Sequence, residues 1–246
     1  METKDKIVLI TGASKGIGKA TAIALSKLGA KVIINFKSDE KSAEEVLKEC
    51  NKNSKNNLMV KADITNEKEV KEMFNLINKK YQKIDILINN AGIFDETDNP
   101  TNLRAFENLF QINFLAHIRV IKYALGIMKT GKIINVSSIH GKLGQGRPEA
   151  IAYSSMKAAL DSYTKNLAKY LAPEILVNAI APGQTLTPMW GELKEKEKKE
   201  LSENHLIKRF IFPEEIAKGI LFLIENDAVC GEIFIIDGGL SLKTLN

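Results

Sequence analysis

The sequence is poor in the residues that build metal centres and disulfide frameworks. Its two cysteines, Cys50 and Cys230, lie far apart without Cys-x-x-Cys spacing, so neither a disulfide scaffold nor a thiolate zinc site is expected. Three histidines, His117, His140 and His205, form no metal-like group, which leaves zinc-assisted chemistry and a Ser-His-Asp hydrolase without support. Long apolar runs are missing as well. The N-terminal "METKDKIVLITG" holds only a four-residue run, Ile7–Ile10, and no later stretch approaches the roughly 18 residues of a membrane span. A soluble, cytoplasmic protein with no membrane partner is expected. The net charge of +5 comes from lysines interleaved with acids, as in "KEKEKKE" (194–200), the pattern of a solvated helical face and not of a nucleic-acid-binding stripe.

Short β-branched runs are abundant: 7–10, 32–35, 58–60, 84–89, 132–137, 175–181 and 233–236. They are apolar on successive residues, as strands buried on both faces require. Between them lie helical faces: Ile17, Ala20, Thr21, Ala24, Leu25 and Leu28, stopping at Gly29, and later Val70, Met73, Phe74 and Ile77. Pro213 opens a further helix in the first-turn position that proline tolerates. The alternation predicts an α/β fold, one domain over 1–246, with a doubly wound, seven-stranded parallel sheet and helices on both faces.

Two local patterns carry chemistry. "ITGASKGIGKA" (10–20) sets Gly12, Gly16 and Gly18 between the first strand and the first helix, where the backbone can approach a pyrophosphate and the helix N-terminus can meet its charge. The same glycines also suit a strand-to-helix turn that needs only positive φ. In "YSSMK", Tyr153 and Lys157 fall on one face of a helix, as a surface pair or as a proton-transfer device. A tyrosine of ordinary pKa near 10 needs a neighbouring cation to work as a base at neutral pH, and Lys157 would supply it. Ser138 ends the fifth strand, at the sheet edge where open α/β proteins bind ligands.

"TGASKGIG", "NNAG" (89–92), Asn113, "NVSS" (135–138), "YSSMK" and "APG" (181–183), in this order and spacing, resemble the short-chain dehydrogenase/reductase family over nearly the whole chain. The resemblance implies a Rossmann-type fold, a nicotinamide cofactor and hydride chemistry without a metal. It assigns catalysis to Asn113, Ser138, Tyr153 and Lys157: the serine orients the substrate oxygen, the tyrosine transfers the proton, the lysine also holds the nicotinamide ribose, and the asparagine carbonyl holds a water on a proton relay. It places Gly12, Ser14, Gly16, Ile17 and Gly18 in the cofactor-binding turn, and Asp63 with Ile64 at the adenine. Asn89 and Ala91 line the adenosine side, with Gly92 also at the cofactor; Pro182 and Gly183 form a cofactor-binding Pro-Gly turn, and the Thr185 backbone and Thr187 hydroxyl meet the nicotinamide carboxamide.

NAD enzymes usually carry an acid at the end of the second strand. Here that position is Phe36, while Lys15, Lys37 and Ser38 suit a 2′-phosphate, so NADP is favoured over NAD despite nearby Asp39. Within the family the pattern most resembles 3-oxoacyl-acyl-carrier-protein reductases. This implies a carbonyl or acyl-thioester substrate, acyl carrier protein as a candidate partner, and a homotetramer; a sugar or polyol dehydrogenase and an NADP sensor are the alternatives. Lys129 and Lys132 are the expected basic docking residues, whereas Pro173 and Glu174 depart from the relatives' basic pattern. Residues 187–212 are expected to form a substrate lid, with Met189, Trp190 and Leu193 either facing substrate or docking a surface helix. The loop from Ser138 to Tyr153 is about two residues longer than the resemblance implies.

Overall fold

Side chains alternate across a strand, so an unbroken apolar run needs a hydrophobic layer on each side of the sheet. The computed structural model, which describes residues 1–142 and 148–242, provides both layers. The first half runs β1 (Ile7–Ile10), α1 (Gly16–Lys27), β2 (Lys31–Phe36), α2 (Glu40–Asn53), β3 (Leu58–Lys61), α3 (Glu67–Tyr81) and β4 (Ile86–Asn89). The second runs α4 (Leu103–Phe110), α5 (Ala116–Ala124), β5 (Gly131–Val136), α6 (Ile151–Leu171), β6 (Ile175–Pro182), α7 (Glu195–Glu203), α8 (Pro213–Glu225) and β7 (Ile233–Ile236). Val8, Ile10, Ile34, Ile88 and Ile134 point into one core with Leu25 of α1 and Ile220 of α8. Their neighbours Leu9, Ile33, Leu87 and Ile133 point into the other, with Phe74 of α3 and Val120 of α5.

All seven strands are parallel, in the order β3-β2-β1-β4-β5-β6-β7. The winding direction reverses between β1 and β4, which opens a crevice at their C-terminal ends, the place where such sheets bind ligands. The expected strands are all present. Ile84 and Asp85 precede β4 instead of joining it, and the Asp85 carboxylate accepts the Ile7 N–H at 2.8 Å. Leu28 is not on the buried face of α1; it is the C-terminal cap residue and is exposed. Gly29 follows with φ +80°, as expected of the stop.

Between α4 and α5 the chain makes one π-helical turn, Gln111–Leu115, so a single long helix changes phase in its middle. Nothing in the apolar spacing announces this turn. The interleaved "KEKEKKE" is α7 and its flank, a helix with no buried residue, as the charge pattern predicted.

Candidate active site

The glycine turn joins β1 to α1. Gly12 has φ +62°, and a β-carbon there would lie 2.9 Å from the Ala91 Cα, so the close approach of the turn to the "NNAG" loop depends on glycine. Gly18 is tighter, with space for a β-carbon blocked by Asn90 Nδ2 and the Gly12 carbonyl at 2.6 and 2.7 Å. The N-terminus of α1 has no side-chain cap and no acid in its first turn, and its cap residue is Lys15. Uncapped N–H groups flanked by a lysine form an anion site, so these residues fit the pyrophosphate of a dinucleotide.

Two residues that stand in the quoted motifs but received no role from the sequence hold this turn. The Thr11 hydroxyl accepts the Asn90 and Ala91 N–H groups at 2.9 and 3.1 Å, and Asn90 Nδ2 donates to the Thr11 and Gly12 carbonyls at 2.9 and 3.1 Å. The neighbouring Asn89, expected along the adenosine, is fully buried and donates from Nδ2 to Asn135 at 3.1 Å, tying β4 to β5 with its side chain.

At the adenosine end, Phe36 is buried and its carbonyl accepts the Ala62 N–H. The two lysines expected at a 2′-phosphate are both exposed and both paired: Lys15 with Asp39 at 2.5 Å and Lys37 with Asp63 at 2.7 Å. Asp39 also caps α2 through Ser42, and the Lys15 and Ser42 hydrogen bonds hold its carboxyl down at about 2. Asp63 accepts from the Thr65 N–H and hydroxyl at 2.9 and 2.7 Å. Burial opposes these bonds and the lysine, yet the Asp63 carboxyl remains below its ordinary value. Ile64 is buried, and its carbonyl accepts from Arg119 at 3.0 Å.

The catalytic candidates meet where β5 ends against α6. Ser138 is buried, its hydroxyl accepts the His140 N–H at 3.2 Å, and it hydrogen-bonds the Tyr153 phenol. Lys157 is buried and its Nζ donates to the Val136 carbonyl at 2.8 Å, lying 5.7 Å from the centre of the Tyr153 ring. Burial pushes Lys157 down to about 8 and Tyr153 up to about 12, the Ser138 bond pulling the phenol the other way. The expectation that Lys157 holds the phenol low is therefore not met: its ammonium is aimed at the Val136 carbonyl, and desolvation dominates. In this state the Tyr153 phenol keeps its proton at neutral pH.

Asn113 sits in the π turn. Its Oδ1 accepts the Ile93 N–H at 2.9 Å and its Nδ2 donates to the Ile93 carbonyl at 2.8 Å, so the side chain fixes the segment after "NNAG". A β-carbon on Gly92 would lie 2.9 Å from Asn113 Oδ1 and 3.8 Å from Lys157 Nζ, which explains the glycine between them. His117, one turn later, is fully buried with Nε2 2.7 Å from the Ala91 carbonyl; burial first, then the charge of Lys157, drives it down to about 3, so the ring is neutral.

Asp98 is the least foreseeable member. The N-cap residue of α6, Ala150, offers no side chain, and buried Asp98 replaces it by accepting the Ala152 and Tyr153 N–H groups at 3.0 and 2.9 Å. A carboxylate at a helix N-terminus is favoured by the dipole, and this one fixes the backbone of Tyr153 itself.

On the far wall, Gly183 approaches Asp237 closely, and Thr185 is buried with its hydroxyl donating to the Gly183 carbonyl at 3.1 Å. The Thr187 methyl is 3.2 Å from where a Gly16 β-carbon would stand, so the glycine turn and this wall converge. Segment 187–212 leaves and returns at one point, the Thr185–Ile211 bridge. Trp190 closes that neck, donating to the Thr185 carbonyl at 2.9 Å and packing edge-on to Phe210; Met189 is exposed. Residues 205–207 rest on Gly238 and Gly239.

Lys132 is not a docking residue. It is buried at the N-terminal end of β5, with Nζ bound to the Asn226 carbonyl at 3.0 Å and to Asp227 at 2.8 Å. Lys129 is exposed. The extra length placed between Ser138 and Tyr153 falls largely on 143–147, outside the described residues. Among the described residues no helix is long and apolar enough to cross a membrane.

Comparison with known proteins agrees with this geometry. A 3-oxoacyl-[acyl-carrier-protein] reductase of Synechocystis sp. is 34% identical over 96% of this chain and 96% of its own. A short-chain dehydrogenase/reductase of Serratia marcescens superposes with a TM-score of 0.90 at 26% identity, covering 98% of this chain and 100% of that one. The ligand-free aldohexose dehydrogenase of Thermoplasma acidophilum gives 0.86 at 28% identity, covering 98% and 96%. With the short chain dehydrogenase family model matching residues 6–198, around the same glycine turn and Ser-Tyr-Lys set, the chain belongs to that family of oxidoreductases.

Proposed function

We propose that this protein is an NADP-dependent reductase that converts the carbonyl of a 3-oxoacyl thioester to a hydroxyl. The observation that carries the reading is the Tyr153 phenol, protonated, hydrogen-bonded to Ser138 and set above a buried lysine. A bound NADPH would supply the hydride. Ser138 would orient the substrate carbonyl oxygen, and Tyr153 would give it a proton. Lys157 would hold the nicotinamide ribose hydroxyls. Gly12, Ser14, Gly16, Ile17 and Gly18 would hold the pyrophosphate at the α1 N-terminus, and Lys15, Lys37 and Ser38 the 2′-phosphate. Asp63, Ile64, Ala91 and Gly92 would bound the adenosine, and Pro182, Gly183, Thr185 and Thr187 the carboxamide. Segment 187–212 would act as the lid.

The acyl class is favoured by the 34% identical reductase. The likeness to an aldohexose dehydrogenase favours a sugar as the second reading. A sensor without turnover has no use for the Ser-Tyr-Lys set. Homotetramer formation is supported by Leu103, Phe110 and Tyr170, large side chains left exposed on α4 and α6. The test is NADPH oxidation with acetoacetyl-CoA, a carrier-linked 3-oxoacyl chain and several ketoses, beside Tyr153→Phe. Acyl turnover that falls about 10²–10⁴-fold in the variant supports the reading. Turnover of ketoses alone replaces it with the sugar reading, and NADPH binding without any turnover removes both.

A further inference from the structure

Four consecutive residues at the end of β5 each reach one residue of α6. Asn135 Nδ2 donates to Thr164 at 2.9 Å, Lys157 donates to the Val136 carbonyl, Ser137 donates to Asp161, and Ser138 bonds Tyr153. Three of these contacts serve the strand-helix join or the groups already described. The fourth places a carboxyl group inside the protein: Asp161 is 7% exposed, and its Oδ2 is buried without a hydrogen-bond partner. Such a group is costly unless something nearby uses its charge. Tyr153, Lys157 and Asp161 follow one another at i, i+4 and i+8, so Asp161 lies one turn beyond Lys157 on the same face of α6.

We propose that Asp161 is a positioning residue of the active site: through Ser137 it anchors the turn that carries Ser138, and from one turn beyond Lys157 on the same face of α6 it is the buried carboxyl group set to act on that lysine. Anchoring goes through the Ser137 hydroxyl, which also lies 3.4 Å from the Lys157 carbonyl. Around the Lys157 charge stand Tyr153 on α6, neutral His117 on α5 and Asp161. Burial works against the ammonium, and Asp161 works for it. Burial raises the Asp161 carboxyl above its ordinary value, while Ser137 of the β5 turn, Lys142 after it, and Lys157 and Lys165 of α6 each pull it back toward the carboxylate.

The proposal rests on the reductase reading, and its test separates the two. Asp161→Asn keeps size and the acceptor for Ser137 but removes the charge; Ser137→Ala keeps the charge but removes the bond. For Asp161→Asn the alkaline limb of kcat/KM moves down by about one pH unit, so its ratio to wild type falls about tenfold between pH 6.5 and 9. Ser137→Ala lowers kcat about equally at every pH, and Asp161→Glu restores the limb. NADPH affinity, followed by cofactor fluorescence, shows the same displaced limb without turnover, because Lys157 also holds the ribose. If Asp161→Asn gives profiles parallel to wild type in both measurements, the proposal is overturned and Asp161 is structural only. If wild type turns over no carbonyl while the binding limb still moves, the reductase reading fails and the role of Asp161 toward Lys157 stands.

Discussion

The two ends of the crevice are built on opposite principles. At the β5–α6 end the groups are buried and held by short bonds to backbone: Lys157 to Val136, Asp98 to the N-terminus of α6, His117 to Ala91. At the β2–β3 end Lys15 and Lys37 are exposed, and each is paired with a carboxylate. On the proposed reading, proton transfer at the buried end calls for a fixed geometry and a low dielectric, which the interior placement of Tyr153 and Lys157 and their displacement from ordinary pKa values would serve. Recognition of a charged phosphate tolerates motion, and exposed ion pairs are worth little and exchange partners at little cost.

The comparison breaks first at the glycine turn, the rigid element shared by both ends. Gly18→Ala drives a β-carbon into the Gly12 carbonyl, and a forced backbone shift of this kind costs up to about 3 kcal/mol. NADPH binding should weaken by about 100-fold, read by fluorescence titration. A variant that binds normally would show that the turn is less constrained than its packing implies.

At the buried end, His117 should be visible in acid stability. Its folded pKa of about 3 lies below the ordinary 6.5, so the unfolded chain binds the extra proton first. Its contribution is complete above pH 6.5 and is lost as pH falls from there toward 3. His117→Gln should remove about 1.4 kcal/mol per pH unit from that slope in melts between pH 6 and 4. His205, also lowered by burial, leaves a residual slope.

At the exposed end effects should be smaller and salt-dependent. Lys37→Ala should weaken NADPH by about tenfold and leave NADH nearly unchanged, and added salt should shrink that difference. A salt-independent preference for NADPH would place the discrimination elsewhere.

What the sequence showed of this molecule was local. The strands, the glycine turn and the Tyr153–Lys157 pair are legible because β-branched runs, glycine φ and i,i+4 geometry act within a few residues. Asp98 caps a helix more than fifty residues away, and Asn90 and Thr11 meet only after β1 and β4 pair, so no neighbouring residue points to either. Lys132 reads as a surface cation from composition, but β5 buries its side chain, whose end emerges to pair with the exposed Asp227. The aim of the Lys157 ammonium at the Val136 carbonyl was hidden for the same reason: spacing gives proximity, whereas burial and side-chain direction are properties of the fold.

The π turn at Gln111–Leu115 works as a phase shifter. Upstream of it Ala105 and Leu109 are buried on a helix packed against α6; downstream Val120 and Ile121 are buried on one packed against α3. One residue of an α-helix subtends about 100°. Losing one residue here would therefore turn the first helix about its axis relative to the second, withdraw Leu109 from its seat and swing Asn113 away from Ile93, without shortening any loop. The stretch should tolerate substitution on its outer face far better than any change in length.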